Sequence, residues 1–268
     1  MERTIKLTIE YDGSRYHGWQ FQKNELSVQE VLSKAIKKIT GEDIIPVGAG
    51  RTDRGVHALG QVASFTTKSK IPAEKFVPAL NTYLPEDVAV ISSEEADCSF
   101  NARFSSRAKH YRYIILNRPQ RSAIWAKKAW HVRDSLNLEA MEEAAGYFLG
   151  HHCFRAFCAS GHSVKSFDRT IYYSGWRKDG DFLIFDTVGD GYLYNMVRIM
   201  VGTMVDIGRG RFDSKIIKEA LEQGDRNDLG VTAPPNGLYL VKVFYEPYTG
   251  NYDPLSVHFP DISKSIIY

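Results

Sequence analysis

Cysteine is scarce and long hydrophobic runs are absent in this chain of 268 residues. The three cysteines are an odd number and form no CxxC pair, which argues against a disulfide framework and favours a reducing compartment. No apolar stretch approaches the length of a membrane span, and the N-terminal segment lacks a basic-then-apolar signal pattern. We therefore expect a cytoplasmic protein that has no membrane partner.

A large excess of charge of either sign is also lacking. The sequence has 34 Lys and Arg residues against 32 Asp and Glu, so the formal net charge is only +2. A total this small does not by itself indicate a nucleic-acid partner, and the distribution of the charge has to be considered instead. With 43% hydrophobic and 12% aromatic residues, the chain has enough apolar surface to bury the core of a globular protein.

The apolar residues alternate between strand and helix periodicity along the chain. Residues 4–11 repeat at period two, which predicts a half-buried strand. Ser27 and Glu30 form a capping box that opens a helix, and Gly41 ends it. The other predicted elements are strands at 61–67, 88–94, 107–116 and 129–133, helices from Pro72 to about Leu84 and from Asn137 to Leu149, two strands joined by a turn at 178–181, two helices of which the first begins near Tyr192, and a last strand at 238–246.

This order of elements predicts an α+β fold with two subdomains, at 1–105 and 106–268. Each subdomain is expected to be ferredoxin-like, as in RNA-recognition motifs, with the Gly-rich segment 48–58 in the first. No flexible linker separates them, so we expect the two to share one extended, mainly antiparallel sheet. A cleft between the halves would then be the natural site.

Positive charge is concentrated in one part of this nearly neutral chain. From Cys98 to Arg133 there are nine Lys and Arg residues and no Asp or Glu, with aromatic residues such as Tyr111 among them. Such a mixture suits phosphate contacts and stacking on exposed bases. Cations that protect strand edges from pairing would explain the charge equally well, and Tyr111 would then be a core aromatic.

A Gly-rich segment, GAGRTDRGVHA at 48–58, contains the most reactive arrangement of side chains. It reads as a loop between strands, and it matches neither a phosphate-binding loop nor a dinucleotide-binding fingerprint. An aspartate in such a loop is usually a turn residue. Arg51 and Arg54, however, can keep Asp53 ionised, and an ionised carboxylate can act as a nucleophile or base without a metal.

Histidine and cysteine occur together in a second segment, which raises the alternative of a zinc deaminase acting on a flipped base. The residues are His151, His152, Cys153 and Cys158. The HxE and PCxxC spacings of that class are missing, and scattered residues of these types more often serve packing. We therefore predict no metal site.

Five separated segments resemble the tRNA pseudouridine synthase A family, in the same order along the chain. They are YDGSRYHGWQ with SVQEVL (11–32), RTDRGVHALGQVASF (51–65), FNARFSSRAKHYRYII (100–115), GYLYNMVRIMVGTMVDIG (191–208) and TAPPNGLYL (232–240). The resemblance implies the pseudouridine synthase fold, a homodimer, no cofactor, and isomerisation of uridine at positions 38 to 40 of the tRNA anticodon stem-loop.

The same resemblance implies roles for four residues. Asp53 corresponds to the catalytic aspartate, and Arg198 to its ion-pair partner. Tyr111 corresponds to the ring that stacks on the target base, and Arg51 to the arginine that fills the space left by the flipped nucleotide. Related bacterial sequences commonly carry a small residue at the position of Arg54, so this side chain is assigned no catalytic role.

Several points stay open at the level of sequence. The carboxylate of Asp53 could attack the anomeric carbon of the ribose, assist elimination to a glycal, or add to C6 of the base. A synthase acting on another RNA site is an alternative to the tRNA enzyme. A non-catalytic RNA-binding module is a second alternative, which explains the charge and the tyrosines but leaves the GRTD segment without a role.

Overall fold

The computed structural model of the chain describes residues 2–161 and 164–257. Its helices and strands, in chain order, are β1 (Arg3–Tyr11), α1 (Val28–Thr40), β2 (Val47–Gly48), β3 (His57–Thr67), α2 (Phe76–Asn81), β4 (Val88–Ala96), β5 (Ala108–Asn117), β6 (Trp130–Val132), α3 (Leu138–Gly146), β7 (Gly150–Cys153), β8 (Asp168–Asp179), β9 (Phe182–Gly189), α4 (Met196–Gly208), α5 (Ile216–Gln223) and β10 (Leu238–Phe244). The predicted α+β class and the mainly antiparallel sheet are confirmed.

The described residues form two compact units. The first contains 2–107 together with 239–247, and the second contains 108–238 together with 248–257. The first unit therefore differs from the boundary drawn from sequence, because β10 returns to it after residues 108–238 of the second unit. The physical reason is main-chain pairing, since β10 runs parallel to β3 with Tyr239 opposite His57.

The sheet of the first unit has the order β4, β1, β3, β10, and β2 also pairs with β3. The β1 strand is antiparallel to both β3 and β4. Helix α1 begins and ends as the sequence predicts. The side chain of Ser27 accepts a hydrogen bond from the Glu30 N–H, and Gly41 has a left-handed conformation that ends the helix.

The sheet of the second unit has the order β5, β9, β8, β7, with every neighbouring pair antiparallel, and β6 runs parallel to β5. Helices α3 and α4 pack on each other. Asn137 caps α3 through its side chain, as the predicted start at that residue implies. The predicted turn at 178–181 joins β8 to β9, where Gly180 takes a positive φ of 56°.

Two predicted helices differ clearly from the structure in extent, and strands β2 and β7 were not predicted. The helix expected from Pro72 to about Leu84 is shorter, because Asn81 uses its side-chain amide to pair with the main chain of Val90 and Pro85 follows soon after. Helix α4 begins at Met196 rather than near Tyr192. None of the helices in the described part of the chain has the length and apolar character needed to cross a bilayer.

Candidate active site

The loop that carries Asp53 joins β2 to β3 and is anchored at its start by main-chain and side-chain hydrogen bonds. The N–H of Ala49 donates to the Val62 carbonyl at 2.7 Å. The amide nitrogen of Gln61, in β3, donates to the Gly50 carbonyl at 2.8 Å. Both partners belong to the strand that follows the loop. The loop is thus folded back on a rigid element, which is a favourable base for a reactive side chain.

Thr52 anchors the middle of the loop to the core of the first unit. Its side chain is buried, and its hydroxyl shares a hydrogen bond of 2.8 Å with the Tyr11 phenol. Burial raises the pKa of Tyr11 well above its usual range, so the phenol stays neutral. The Thr52 carbonyl accepts from the Trp19 N–H at 3.1 Å. A side chain at Gly18 would place its Cβ 2.3 Å from that carbonyl, so this close approach requires glycine.

Asp53 itself opens a tight turn. Its carbonyl accepts from the Val56 N–H at 3.1 Å, and Gly55 inside the turn has a φ of 79°. The side chain of Asp53 is half-buried, whereas Arg51 and Arg54 are exposed on either side. The turn-residue interpretation and the catalytic interpretation therefore do not exclude each other. The turn fixes the backbone from which the carboxylate is presented.

His57 is a feature of this site that the sequence analysis did not single out. It is buried directly after the turn, where β3 begins, and its ring stacks on Tyr239 at a centroid distance of 4.7 Å. Nδ1 accepts a hydrogen bond of 3.0 Å from the Gly13 N–H, and Asp12 Oδ1 lies 3.2 Å from the same nitrogen. The only sequence signal was its position inside the GRTDRGVHA segment. His57 fixes the end of the loop to both β10 and the turn after β1.

Tyr111 lies in β5 of the second unit and is 7% exposed. Its ring meets the ring of Tyr192 edge to face, with centroids 5.0 Å apart. The Tyr192 phenol shares a hydrogen bond of 3.1 Å with Thr187, the residue opposite Tyr111 in β9. Burial raises the pKa of Tyr192 well above its usual range, which keeps this phenol neutral. The Tyr111 ring is therefore held by packing in one orientation.

Arg198 lies in the first turn of α4 and is the least buried residue of an otherwise buried helix. Its Nη1 donates to the Asn195 side-chain oxygen at 2.6 Å, and its Nε donates to the Ala233 carbonyl at 2.7 Å. The Ala233 N–H returns a hydrogen bond of 3.0 Å to the Arg198 carbonyl. The guanidinium is thus oriented by two acceptors on opposite chain segments.

The predicted site residues fall into two groups. Arg51 and Asp53 belong to the loop of the first unit, and Tyr111 and Arg198 belong to the second unit. Within the second unit, the short segment 192–195 contacts both Tyr111 and Arg198. Tyr192 packs against the ring of Tyr111, and Asn195 accepts a hydrogen bond from the guanidinium of Arg198.

One member of the predicted basic stretch is structural. Arg112 is fully buried, and its Nε donates to Asp186 at 2.7 Å. It was counted among the cations available to RNA, and that assignment is wrong because its charge is used inside the core. Other cations of the stretch are exposed, and they are Arg103, Arg107, Arg121, Lys127 and Arg133.

The histidines and cysteines of the zinc alternative are engaged in ordinary packing and hydrogen bonds. Nε2 of His152 is 2.7 Å from the Leu149 carbonyl, and the Cys158 thiol lies 3.5 Å from the Ala159 carbonyl. Within residues 2–161 and 164–257, no three His, Cys, Asp or Glu side chains are grouped so that they could hold a metal ion.

Comparison with known sequences matches the chain to one family. A family model described as tRNA pseudouridine synthase matches residues 7–105 and 144–246. Arg51, Asp53 and Arg198 lie inside the matched segments, and Tyr111 lies between them. A chain in the crystal structure of a Cbf5-Nop10-Gar1 complex aligns with a TM-score of 0.32 at 13% identity, covering 88% of this chain and 57% of that one, which is too weak a likeness to support an argument.

Curated relatives agree with the family model over their whole length. Proteins named tRNA pseudouridine synthase A from Thermoanaerobacter sp. (strain X514) and Clostridium botulinum (strain Eklund 17B / Type B) are 49% and 48% identical over 243 residues. Each alignment covers 91% of this chain and 100% of the relative. On the strength of both comparisons, the chain belongs to the tRNA pseudouridine synthase family, a family of isomerases.

Proposed function

We propose that this protein isomerises uridine to pseudouridine in the anticodon stem-loop of tRNA, at positions 38 to 40, as a cytoplasmic homodimer with Asp53 as the nucleophile. The observation that carries the proposal is the loop of Asp53. Its backbone is fixed by Thr52 and by the turn to Val56, while the carboxylate is half-buried between two exposed arginines. A pre-oriented anionic group of this kind is what nucleophilic catalysis without a cofactor requires.

The reaction is a rearrangement in which no atom is gained or lost. The bond between N1 of uracil and C1′ of ribose breaks, and a bond between C5 and C1′ forms, while the proton on C5 is lost and N1 gains one. The Asp53 carboxylate takes part in one of three ways, by attack on C1′, by assisting elimination to a glycal, or by addition at C6. All three need the carboxylate ionised, and the charge of Arg198 serves that need.

The target uridine is stacked inside RNA and has to be extruded before Asp53 can reach it. Unstacking costs on the order of a few kcal/mol, which contacts to the nucleotide must offset. In this proposal the Tyr111 ring stacks on the flipped base, and Arg51 enters the space that the nucleotide leaves. The exposed position of Arg51 and the fixed ring of Tyr111 support these roles.

Contacts to the RNA backbone come from the exposed cations of the stretch 98–133. Lys and Arg side chains that bind phosphates release condensed counterions, so affinity for tRNA falls as salt concentration rises. Arg112 takes no part, because Asp186 neutralises it in the core. Arg54 is exposed beside the nucleophile and is given no catalytic role, since it could either contact RNA or face solvent.

The test compares Asp53→Asn with Asp43→Asn, an exposed aspartate of the same unit that pairs only with a surface lysine in the contacts observed. Each protein is incubated with unmodified tRNA, and pseudouridine is mapped by carbodiimide modification. We expect Asp53→Asn to bind tRNA with unchanged affinity but to form product at least about 10³-fold more slowly, and Asp43→Asn to match the natural protein.

The outcomes separate the alternatives. Appreciable turnover by Asp53→Asn would remove Asp53 from the nucleophile role. Binding without product by the natural protein would instead favour a non-catalytic RNA-binding module. Product at sites outside 38 to 40 would retain the enzyme and change its target, and comparing RNA from strains with and without the protein would locate the sites in cells.

A further inference from the structure

Asn195 has a left-handed backbone conformation, which is uncommon for residues other than glycine. Its φ is 60°, and only one other non-glycine residue in the described part of the chain, Asn24, has a positive φ. Asn195 is also the N-cap of α4, the position where an asparagine side chain ordinarily accepts a hydrogen bond from the first turn. That capping bond is missing. The side-chain oxygen of Asn195 accepts from Arg198 Nη1 at 2.6 Å instead.

The position of the second acceptor of Arg198 depends on a close approach between two backbone segments. The Ala233 carbonyl, which accepts from Nε, belongs to a segment that lies directly on α4. A Cβ at Gly202 would stand 1.6 Å from the Val231 carbonyl, so the segment can approach the helix only because residue 202 is glycine. The Gly230 N–H donates to the Thr203 hydroxyl at 3.2 Å and fixes the segment from its other end.

We infer that Asn195 is a positioning residue for Arg198: together with the Ala233 carbonyl it holds the guanidinium in the one orientation in which it supports the nucleophile. The inference rests on the proposed function, in which Arg198 acts on Asp53. Asn195 touches neither the substrate nor the reacting atoms in this account, and it affects the reaction only through Arg198.

The chemistry of the two acceptors explains why an asparagine suits this position. An amide oxygen and a main-chain carbonyl orient Nη1 and Nε without adding a negative charge beside the guanidinium. An arginine is a planar fork, and fixing two of its nitrogens fixes the direction of the whole group. The left-handed conformation of Asn195 is what brings its short side chain round to Nη1, at the expense of the cap.

The test uses Asn195→Gly, because glycine adopts a positive φ without strain and removes only the acceptor. Asn24→Gly is the matched control, since it makes the same change in the same backbone conformation at an exposed turn. We expect kcat of Asn195→Gly to fall about tenfold or more, with KM for tRNA unchanged and the melting temperature within about 2 °C of the natural protein. Asn24→Gly leaves all three unchanged.

A double-mutant cycle with Arg198→Lys shows whether Asn195 acts through the arginine. Lysine cannot form the two-nitrogen contact, so Asn195→Gly should have no further effect on kcat in that background. Normal kcat for Asn195→Gly, or an equal loss in both backgrounds, would overturn the inference. Normal kcat for Arg198→Lys would contradict the proposed role of Arg198 itself, and it is therefore distinguishable from failure of the inference about Asn195.

Discussion

Two arginines of the second unit, Arg112 and Arg198, are held in opposite ways. Arg112 is fully buried against the carboxylate of Asp186, and its remaining donors reach the carbonyls of Pro254 and Val257. Arg198 is half-buried and is oriented by an amide oxygen and a carbonyl, which carry no net charge. Asp186 neutralises the charge of Arg112, whereas the two acceptors of Arg198 only orient its guanidinium. The nature of the acceptors thus distinguishes a structural cation from the one that we propose acts on Asp53.

The surroundings of Asp186 show how completely the structural charge is compensated. Besides Arg112, the carboxylate contacts Nε2 of His110 at 2.7 Å, and Nδ1 of that ring is 2.9 Å from the Tyr252 hydroxyl. Burial, followed by the negative charge of Asp186, raises the pKa of Tyr252 to about 12, so its phenol remains neutral. Charged groups buried to this degree are stable only when they are paired, because a buried charge that lacks its partner greatly lowers the stability of the fold.

The largest effect should follow from breaking the buried pairing at Asp186. Asp186→Ala leaves the buried Arg112 without its counter-charge, and we expect the free energy of unfolding to fall by about 3–5 kcal/mol. Urea denaturation measures this. Glu94→Ala is the control, because Glu94 pairs with Lys6 at the surface and its loss should cost at most about 1 kcal/mol. Equal losses of unfolding free energy from the two substitutions would show that the buried Asp186 cluster contributes no more to stability than a surface ion pair does.

Arg198→Ala should impair catalysis and leave the stability of the fold almost unchanged. We expect kcat to fall about 10²- to 10³-fold, as when one donor that stabilises a reacting anion is removed, while urea stability changes by less than about 1 kcal/mol. Single-turnover formation of pseudouridine and urea denaturation are measured on the same preparation. A loss of urea stability in Arg198→Ala as large as that in Asp186→Ala would contradict the distinction between Arg198 and Arg112.

A smaller loss is expected at Tyr111, which precedes Arg112 in the same strand but points to the opposite face. Tyr111→Leu removes the ring that we propose stacks on the target base, and stacking of this kind contributes about 1–3 kcal/mol. Product formation should fall about tenfold to a hundredfold, and Tyr111→Phe should retain most of it because the ring is kept. Loss of activity in Tyr111→Phe equal to that in Tyr111→Leu would show that the hydroxyl, and not the ring, is what the site needs.

Local signals in the sequence were sufficient for part of the structure. Helix α1 has the predicted bounds because Ser27 and Gly41 act on their own neighbours. The loop of Asp53 was located for a similar reason, since the glycines and arginines that shape it are adjacent in sequence. The motifs also placed Arg198 on a helix. Each of these predictions depends on interactions between residues that are close along the chain.

The rest depended on partners that sequence patterns do not connect. The burial of Arg112 follows from Asp186, which is 74 residues away. The start of α4 was predicted too early because Asn195 gives its side chain to Arg198 and adopts a left-handed backbone, which no propensity indicates. The return of β10 to the first unit requires knowledge of which strands pair, and the role of His57 follows only from its stacking on Tyr239.

Because β10 pairs with β3, the sheet beside the Asp53 loop can be completed only late in synthesis of the described chain. His57 leaves the ribosome about 180 residues before Tyr239, an interval of about 10–40 s at ordinary elongation rates. Throughout that interval β3 has no β10 beside it, and the His57 ring at the end of the Asp53 loop has no Tyr239 to stack on. A nascent chain therefore exposes this loop in an unfinished form until the strand that completes its support has been made.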